Sequence, residues 1–291
     1  MDKRRTRVYG PPLGKRYIVF VDDLNMPMKE EFGAQPPIEL LRQFADHGGW
    51  YDRKSKDKPF NRIVDVVLVS AMGPPGGGRA IVTQRMQRQF NILTYCDMNF
   101  KDITTIFSTL INAFFSNFNS EVKKSVDGLI EIQLQVYDKV LNGPLKPTPN
   151  KSHYTFNLRD ISKVFQGVTL MNSKTCSNPI HLVRVWIHEN KRVFGDRLND
   201  DPDRKFLDDM LLEKAQSQFK LTKEDIYNTE RIIFGDFMEG IDLETRVYKQ
   251  IDDLRVMQTK IEEYLDEYNS QHKTQMPLVM FLDACDHVAR I

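Results

Sequence analysis

Cysteine is scarce: Cys96, Cys176 and Cys285 are the three in 291 residues, and no CxxC pair occurs. That excludes a disulfide framework and a zinc ribbon, and leaves buried free thiols in a reducing compartment as the reading. Histidine forms no HxxxH or HxH arrangement. His188-Glu189 starts like a zincin motif, but Arg192 stands where the second histidine belongs. Net charge is nearly absent too, with 41 Lys+Arg against 40 Asp+Glu. No global field therefore draws the chain to nucleic acid or an anionic membrane. The one basic stretch, Lys3, Arg4, Arg5 and Arg7, reads as a solvated, frayed end. No apolar run approaches the roughly 18 residues of a membrane span, and nothing resembles a signal peptide. A soluble, intracellular protein is the expectation, with no nucleic-acid or membrane partner.

What is present supports a packed interior: 41% of residues are hydrophobic and 28% charged. The length allows about two domains of ordinary size. Residues 1–98 read as α/β. Tyr17 to Asp22 is an apolar, β-branched run of the kind buried on both faces within a parallel sheet. Pro36-Pro37 opens a helix with an apolar stripe at Ile38, Leu40, Leu41 and Phe44, and Gly48-Gly49 stops it. Ile63 to Ala71 predicts a second buried strand and Phe90 to Tyr95 a third. Trp50-Tyr51 reads as packing rather than as a partner-binding pair.

From 99 to 198 the pattern turns helical. Ile103, Ile106, Phe107, Leu110, Ile111 and Phe114 recur at helical spacing. So do Val126 to Val140, and two more helices follow over 156–170 and 180–198. The acidic, turn-rich Asn199 to Asp203 marks a boundary. Beyond it, 199–291 predicts short helices, an amphipathic core helix from about Leu243 to Ser270, and a strand or helix starting at Leu278.

The strongest chemical motif is Ile18-Val19-Phe20-Val21-Asp22-Asp23, which puts carboxylates at the carboxyl end of a strand, where open α/β sheets bind ligands. In P-loop nucleotidases such an element holds Mg²⁺ through water, and the following acid orients the attacking water. Successive strand side chains diverge, so Asp22 and Asp23 share a site only if the strand ends there. The matching phosphate loop is missing from the sequence. Gly73 to Ala80 fits GxxxxG, but Arg79 replaces the lysine, Ala80 replaces the hydroxyl, and two prolines remove N–H donors. Gly10 to Arg16 fails as well. A structured turn after a strand is the better reading of Gly73 to Ala80.

Three segments then carry a family resemblance: Val21-Asp22-Asp23-Leu24-Asn25-Met26-Pro27, Phe32 to Gln43, and Ala71-Met72-Gly73 to Arg79. Together they resemble the third AAA+ module of axonemal dynein heavy chains. Lys151 to Asp160 and Trp186-Ile187-His188-Glu189 resemble that module's helical lid, and Phe281 to Ala284 the lead-in to the fourth module. The resemblance implies an incomplete AAA+ P-loop-type parallel sheet core over 1–98, starting after the module's phosphate loop. It implies an α-helical lid over 99–198, then a mostly helical linker and the start of the next module over 199–291. The absent first strand would leave an open slot between the strands at 63–71 and 90–95.

By that resemblance Asp22 matches the Mg²⁺ aspartate. Asp23 takes the place of the usual glutamate that holds the attacking water. Gly73 falls where a sensor-1 asparagine is found, Arg85 at the arginine-finger position with Arg88 as its rival, and Arg159 at the sensor-2 position. Asp23 and Gly73 depart from active sites of this type, which implies regulatory binding of ATP or ADP with Mg²⁺ in the complete module. No tightly bound cofactor is implied for this chain alone. Implied partners are neighbouring AAA+ modules, dynein intermediate and light chains, and microtubules, in the cytoplasm and the axoneme of cilia and flagella. Two rivals stay open: metal-assisted hydrolysis by Asp22 and Asp23, and a vestigial protein-interaction scaffold without nucleotide binding. Read locally, Arg159 beside Asp160 is also compatible with a helix cap or an ion pair.

Overall fold

The computed structural model describes residues 1–76, 79–96, 98–240 and 246–291. The chain divides into two compact units, Met1–Cys96 and Asp97–Ile291.

In the first unit, β1 (Asp2–Arg5) and β2 (Val8–Gly10) form an antiparallel hairpin that turns at Arg7, φ 60°. The basic N-terminal stretch is thus a paired strand, not the frayed end its composition predicts. Arg4 helps fix it by reaching the Asp65 carboxylate at 3.4 Å and the Pro12 carbonyl at 3.3 Å. The unit continues with β3 (Tyr17–Val21), α1 (Pro36–His47), β4 (Gly49–Tyr51), β5 (Phe60–Ile63), β6 (Val66–Ser70) and the single turn α2 (Gln84–Gln87). One mixed sheet has the order β1-β2-β5-β4, and β3 and β6 form a separate parallel pair, Tyr17 opposite Val66 through Val21 opposite Ser70.

Three strand expectations are corrected. The run 63–71 is two strands, because Asp65 adopts a left-handed φ of 57°, which breaks the extended path. Its two halves then lie in different sheets, and the Asp65 carbonyl accepts from the Tyr17 N–H at 3.0 Å. β3 pairs in parallel as expected but is not buried: Ile18 is 71% and Phe20 61% exposed. Residues 90–95 form no strand. Ile92, Leu93 and Tyr95 are exposed and their backbone has no ladder partner, so the slot expected beside that strand has no second wall.

α1 follows its signals. Proline occupies its first turn, and Gly48 ends it in the left-handed region, φ 68°, with its N–H on the Phe44 carbonyl at 2.7 Å. Trp50 stacks on Phe44 with ring centroids 4.8 Å apart and donates to the Leu40 carbonyl, so it is a packing residue. Leu24, Ile38, Val82 and Met86 form the small core of this unit.

The second unit is helical: α3 (Phe100–Phe114), α4 (Ser120–Asn142), α5 (Leu158–Val168), α6 (Pro179–Val193), α7 (Asp201–Phe219) and α8 (Lys223–Ile226). The pair β7 (Phe234–Gly235) and β8 (Lys249–Gln250), then α9 (Leu254–Gln271) and α10 (Leu282–Arg290), complete it. Of the α3 stripe, Ile103, Phe107 and Ile111 are buried while Ile106, Leu110 and Phe114 stand exposed. One core runs from Ile103 through α4, α5 and α6 to Phe234.

Its centre contains a polar trio. Trp186 donates its indole N–H to Gln133 Oε1 at 2.6 Å, and Asn190 Nδ2 donates to the same oxygen at 2.9 Å and to the Trp186 carbonyl at 2.8 Å. α5 packs against α6 at Gly167, where a Cβ would lie 1.9 Å from Glu189 Oε2.

Where short helices were expected after 199–203, the acids open the long helix α7 instead. Asp200 is its N-cap and Pro202 sits in its first turn, and acidic side chains favour the positive end of the helix dipole. The helix expected from Leu243 begins at Leu254. Asp253 caps it, accepting from the N–H groups of Arg255 and Val256, and the 241–245 part of that expectation lies outside the described residues. Met257 and Ile261 of α9 join Ile233, Ile251 and Cys285 in a second small core, so α9 is an ordinary core helix. Leu278 to Phe281 is neither strand nor helix. Among the described residues, no helix is long and apolar enough to cross a membrane.

Candidate functional site

β3 ends where the acidic pair begins. Asp22 is exposed, and its Oδ1 accepts the Asp23 N–H at 3.0 Å. Asp23 turns the chain through a left-handed φ of 46°, so the strand stops there and both carboxylates fall at one sheet end. Their electrostatic settings differ. Arg79 Nη2 lies 3.3 Å from Asp23 Oδ1, while Asp22 has no cationic partner among the described residues.

Gly73, on the loop after β6, is brought to the same end. Its carbonyl accepts Asn25 Nδ2 at 2.8 Å, and a Cβ on it would meet the Arg79 guanidinium at 2.8 Å. Asn25 is 1% exposed, and its Oδ1 has no hydrogen-bond partner among the described residues. Gly76 and Arg79 exchange both backbone hydrogen bonds at 3.0 Å. Gly77 and Gly78 of the GxxxxG-like motif lie outside the described residues. Asn25 and Arg79 had no assigned role at the sequence level. The residue spacing Val21 to Pro27 placed Asn25 beside the acids, but only the fold brings it to Gly73.

Arg85 is not at this acidic end. It sits on α2 with Nη2 2.7 Å from Glu39 Oε1 of α1, and Arg42 Nε takes Glu39 Oε2 at 2.7 Å. Its rival Arg88 reaches Asp46 at 3.3 Å, which Arg42 and Gln89 also grip. Burial alone would raise the Asp46 carboxyl, but hydrogen bonds from Arg88 and Arg42 outweigh it and hold the group below its ordinary range.

Arg159 belongs to the second unit, in the first turn of α5, exposed and without a carboxylate partner among the described residues. It lines a cavity of about 420 Å³ together with His153, Lys163 and Arg197. The neighbouring Asp160 is not its ion-pair partner. Asp160 is 1% exposed, closes a capping box with Asn157, and pairs with Arg197. With Asp160 neutralised, Arg159 and Lys163 leave this cavity net positive. Lys163, four residues after Arg159 on α5, shares its helical face, a signal the sequence reading passed over, whereas Arg197 carries no such signal.

The remaining motif residues are structural. His188 is 1% exposed, its Nδ1 faces the Ile232 carbonyl at 3.2 Å, and burial pushes its pKa down to about 3. Glu189 pairs with Arg192 and accepts from the Tyr248 hydroxyl. Cys176 and Cys285 are buried as expected, whereas Cys96 is exposed. No cluster of three or more metal-ligating side chains occurs among the described residues.

Asp22 nevertheless fits Mg²⁺ as a single carboxylate ligand, because that ion keeps waters and takes only one or two carboxylates beside substrate phosphates. The cationic wall at Arg159 and Lys163 fits phosphate oxygens.

Residues 1–98 match the family described as a P-loop containing dynein motor region. Residues 129–230 match the AAA+ lid domain. Over its whole length the chain is similar to dynein axonemal heavy chain 1 of Homo sapiens, with 44% identity across 304 aligned residues covering 100% of this chain and 7% of the relative. Dynein axonemal heavy chain 3 of Mus musculus is 42% identical with the same coverage. Dynein axonemal heavy chain 12 of Homo sapiens is 41% identical, covering 100% of this chain and 10% of the relative. The chain therefore spans 7 to 10% of the length of these relatives.

Proposed function

The chain belongs to the axonemal dynein heavy-chain family, and from that premise we propose that it forms part of a regulatory nucleotide site in the third AAA+ module of a motor ring. The observation that carries this reading is the contrast between the two acids. Asp22, at the end of a parallel strand, has no cationic partner among the described residues, while Asp23 is turned aside and paired with Arg79.

In the complete module, ATP with Mg²⁺ supplies the triphosphate and the charge that must be stabilised. Asp22 would hold the ion through water. Asp23 is one carbon shorter than glutamate and engaged by Arg79, so it orients a water poorly. Gly73 offers no side chain to a γ-phosphate. Arg159 would contact phosphate from the lid, with Lys163 adding positive charge. Arg85 would serve the site of the preceding module. Binding without efficient turnover is what these features favour, with rigid-body lid motion passing the nucleotide state to the neighbouring modules. The wider reading follows the relatives: ATP-driven movement along microtubules in the axoneme of cilia and flagella, with intermediate and light chains as partners.

The test uses a heavy-chain motor that contains this segment. Asp22→Ala is expected to weaken Mg²⁺-dependent nucleotide binding at this module at least about tenfold, while Asp23→Glu raises its hydrolysis. Nucleotide binding that survives Asp22→Ala with unchanged Mg²⁺ dependence overturns the assignment.

A further inference from the structure

The second unit holds another cavity, of about 320 Å³, whose wall includes His181, Arg184, Lys249 and Asp252. Arg184 is half-buried. It donates Nε–H to the Ile226 carbonyl at 2.9 Å, Nη2–H to the Asp225 carbonyl at 2.7 Å and Nη1–H to Gln250 Oε1 at 3.4 Å. Those neutral oxygens fix the guanidinium in place but leave its charge without an ion-pair partner among the described residues. A partly desolvated cation in that state gains from an anion placed beside it. Burial and the field of Arg184 hold His181 below its ordinary pKa, against the opposing field of Asp252. Lys249, on β8, supplies a second cation and is paired with the half-exposed Glu239. Among the described residues, Asp252 is the one carboxylate on this wall.

We propose that this cavity is a binding site for inorganic phosphate, held between Arg184 and Lys249 and distinguished from sulfate by Asp252. Phosphate keeps an O–H at neutral pH that the Asp252 carboxylate accepts, whereas sulfate has no proton there and meets the carboxylate as a like charge. The cavity has room for a phosphate ion together with hydrating water. The inference is independent of the nucleotide site, whose cationic residues line a different cavity.

The test is calorimetric titration of the 291-residue chain with phosphate and with sulfate at matched ionic strength, with the His181 ring signals followed by NMR. The expected result is saturable phosphate binding that shifts His181, with sulfate at least about fivefold weaker. Lys249→Gln should weaken phosphate about tenfold with the helical signal unchanged, and Asp252→Asn should erase the preference over sulfate. Lys163→Gln, in the other cavity, should change nothing. Absence of saturable binding, equal affinity for sulfate, or loss of binding with Lys163→Gln and not with Lys249→Gln would each overturn the proposal. Arg184 is left intact because its hydrogen bonds also hold the end of α8.

Discussion

Arg85 of α2 is held 2.7 Å from Glu39 of α1, and Arg42 occupies the other oxygen of the same carboxylate at 2.7 Å. Departure of Arg85 therefore leaves Glu39 still paired. Because the Arg85 side chain is 65% exposed, Arg85→Ala should cost this chain less than about 1 kcal/mol in urea unfolding. In a motor carrying the preceding module, the same change should reduce ATP turnover there by up to about 10³-fold, with Arg88→Ala leaving it intact. The opposite pattern would transfer the finger role to Arg88.

The Asp160–Arg197 pair behaves differently, since Asp160 is buried and also closes the cap of α5. Arg197→Ala removes its counter-charge and leaves a desolvated carboxylate. A loss of about 3–5 kcal/mol in unfolding free energy is expected. A loss below about 1 kcal/mol would mean that the pair is screened like a surface pair.

Gly167 sets a third expectation. Alanine in a helix interior normally gains about 1 kcal/mol over glycine. At 167, however, a Cβ would displace Glu189 from its bonds with Arg192 and Tyr248. Gly167→Ala should therefore destabilise the second unit, by about 1–3 kcal/mol, as other overpacked sites do. A rise in melting temperature would contradict this packing.

His188 predicts a pH dependence. Its folded pKa, near 3, lies below the ordinary 6.5, so below pH 6.5 the unfolded chain takes up a proton that the native chain refuses. Its contribution to stability is complete above the ordinary value. It is lost by about 1.4 kcal/mol per pH unit as pH falls toward the folded value. Glu189, raised by burial, acts in the opposite sense, with stability lost as pH rises through its window. Comparing the native chain with His188→Gln in urea at several values below pH 6.5 isolates the histidine. Identical slopes would count against a buried neutral imidazole.

The helices of the second unit were legible because their apolar periodicity agrees with their packing. α4 buries Val126, Leu129, Val136 and Val140 along the face that the spacing marks. β3 pairs in parallel, as its apolar run predicts, but periodicity reports what a strand can bury rather than what covers it, and Ile18 and Phe20 stand open. The break at Asp65 was invisible, because a single left-handed residue leaves no signature in hydrophobic pattern. The acids Asp22 and Asp23 were readable as a motif. The contrast between them depends on Arg79, which lies 56 positions away from Asp23 in sequence. The cationic cavity around Arg159 takes Lys163 from one turn further along α5, while Arg197 joins it through folding alone.

The trio of Gln133, Trp186 and Asn190 has a mechanical consequence. Sliding α6 along α4 by one turn, about 5.4 Å, would carry the indole N–H and the Asn190 amide away from Gln133 into an apolar interior. The indole N–H left unpaired there costs about 1–3 kcal/mol, while the Asn190 amide keeps only its bond to the Trp186 carbonyl within α6. α4 and α6 are in this sense keyed, like a shaft and its gear: torque applied to one helix turns the other, and slippage between them is the motion the sequence forbids.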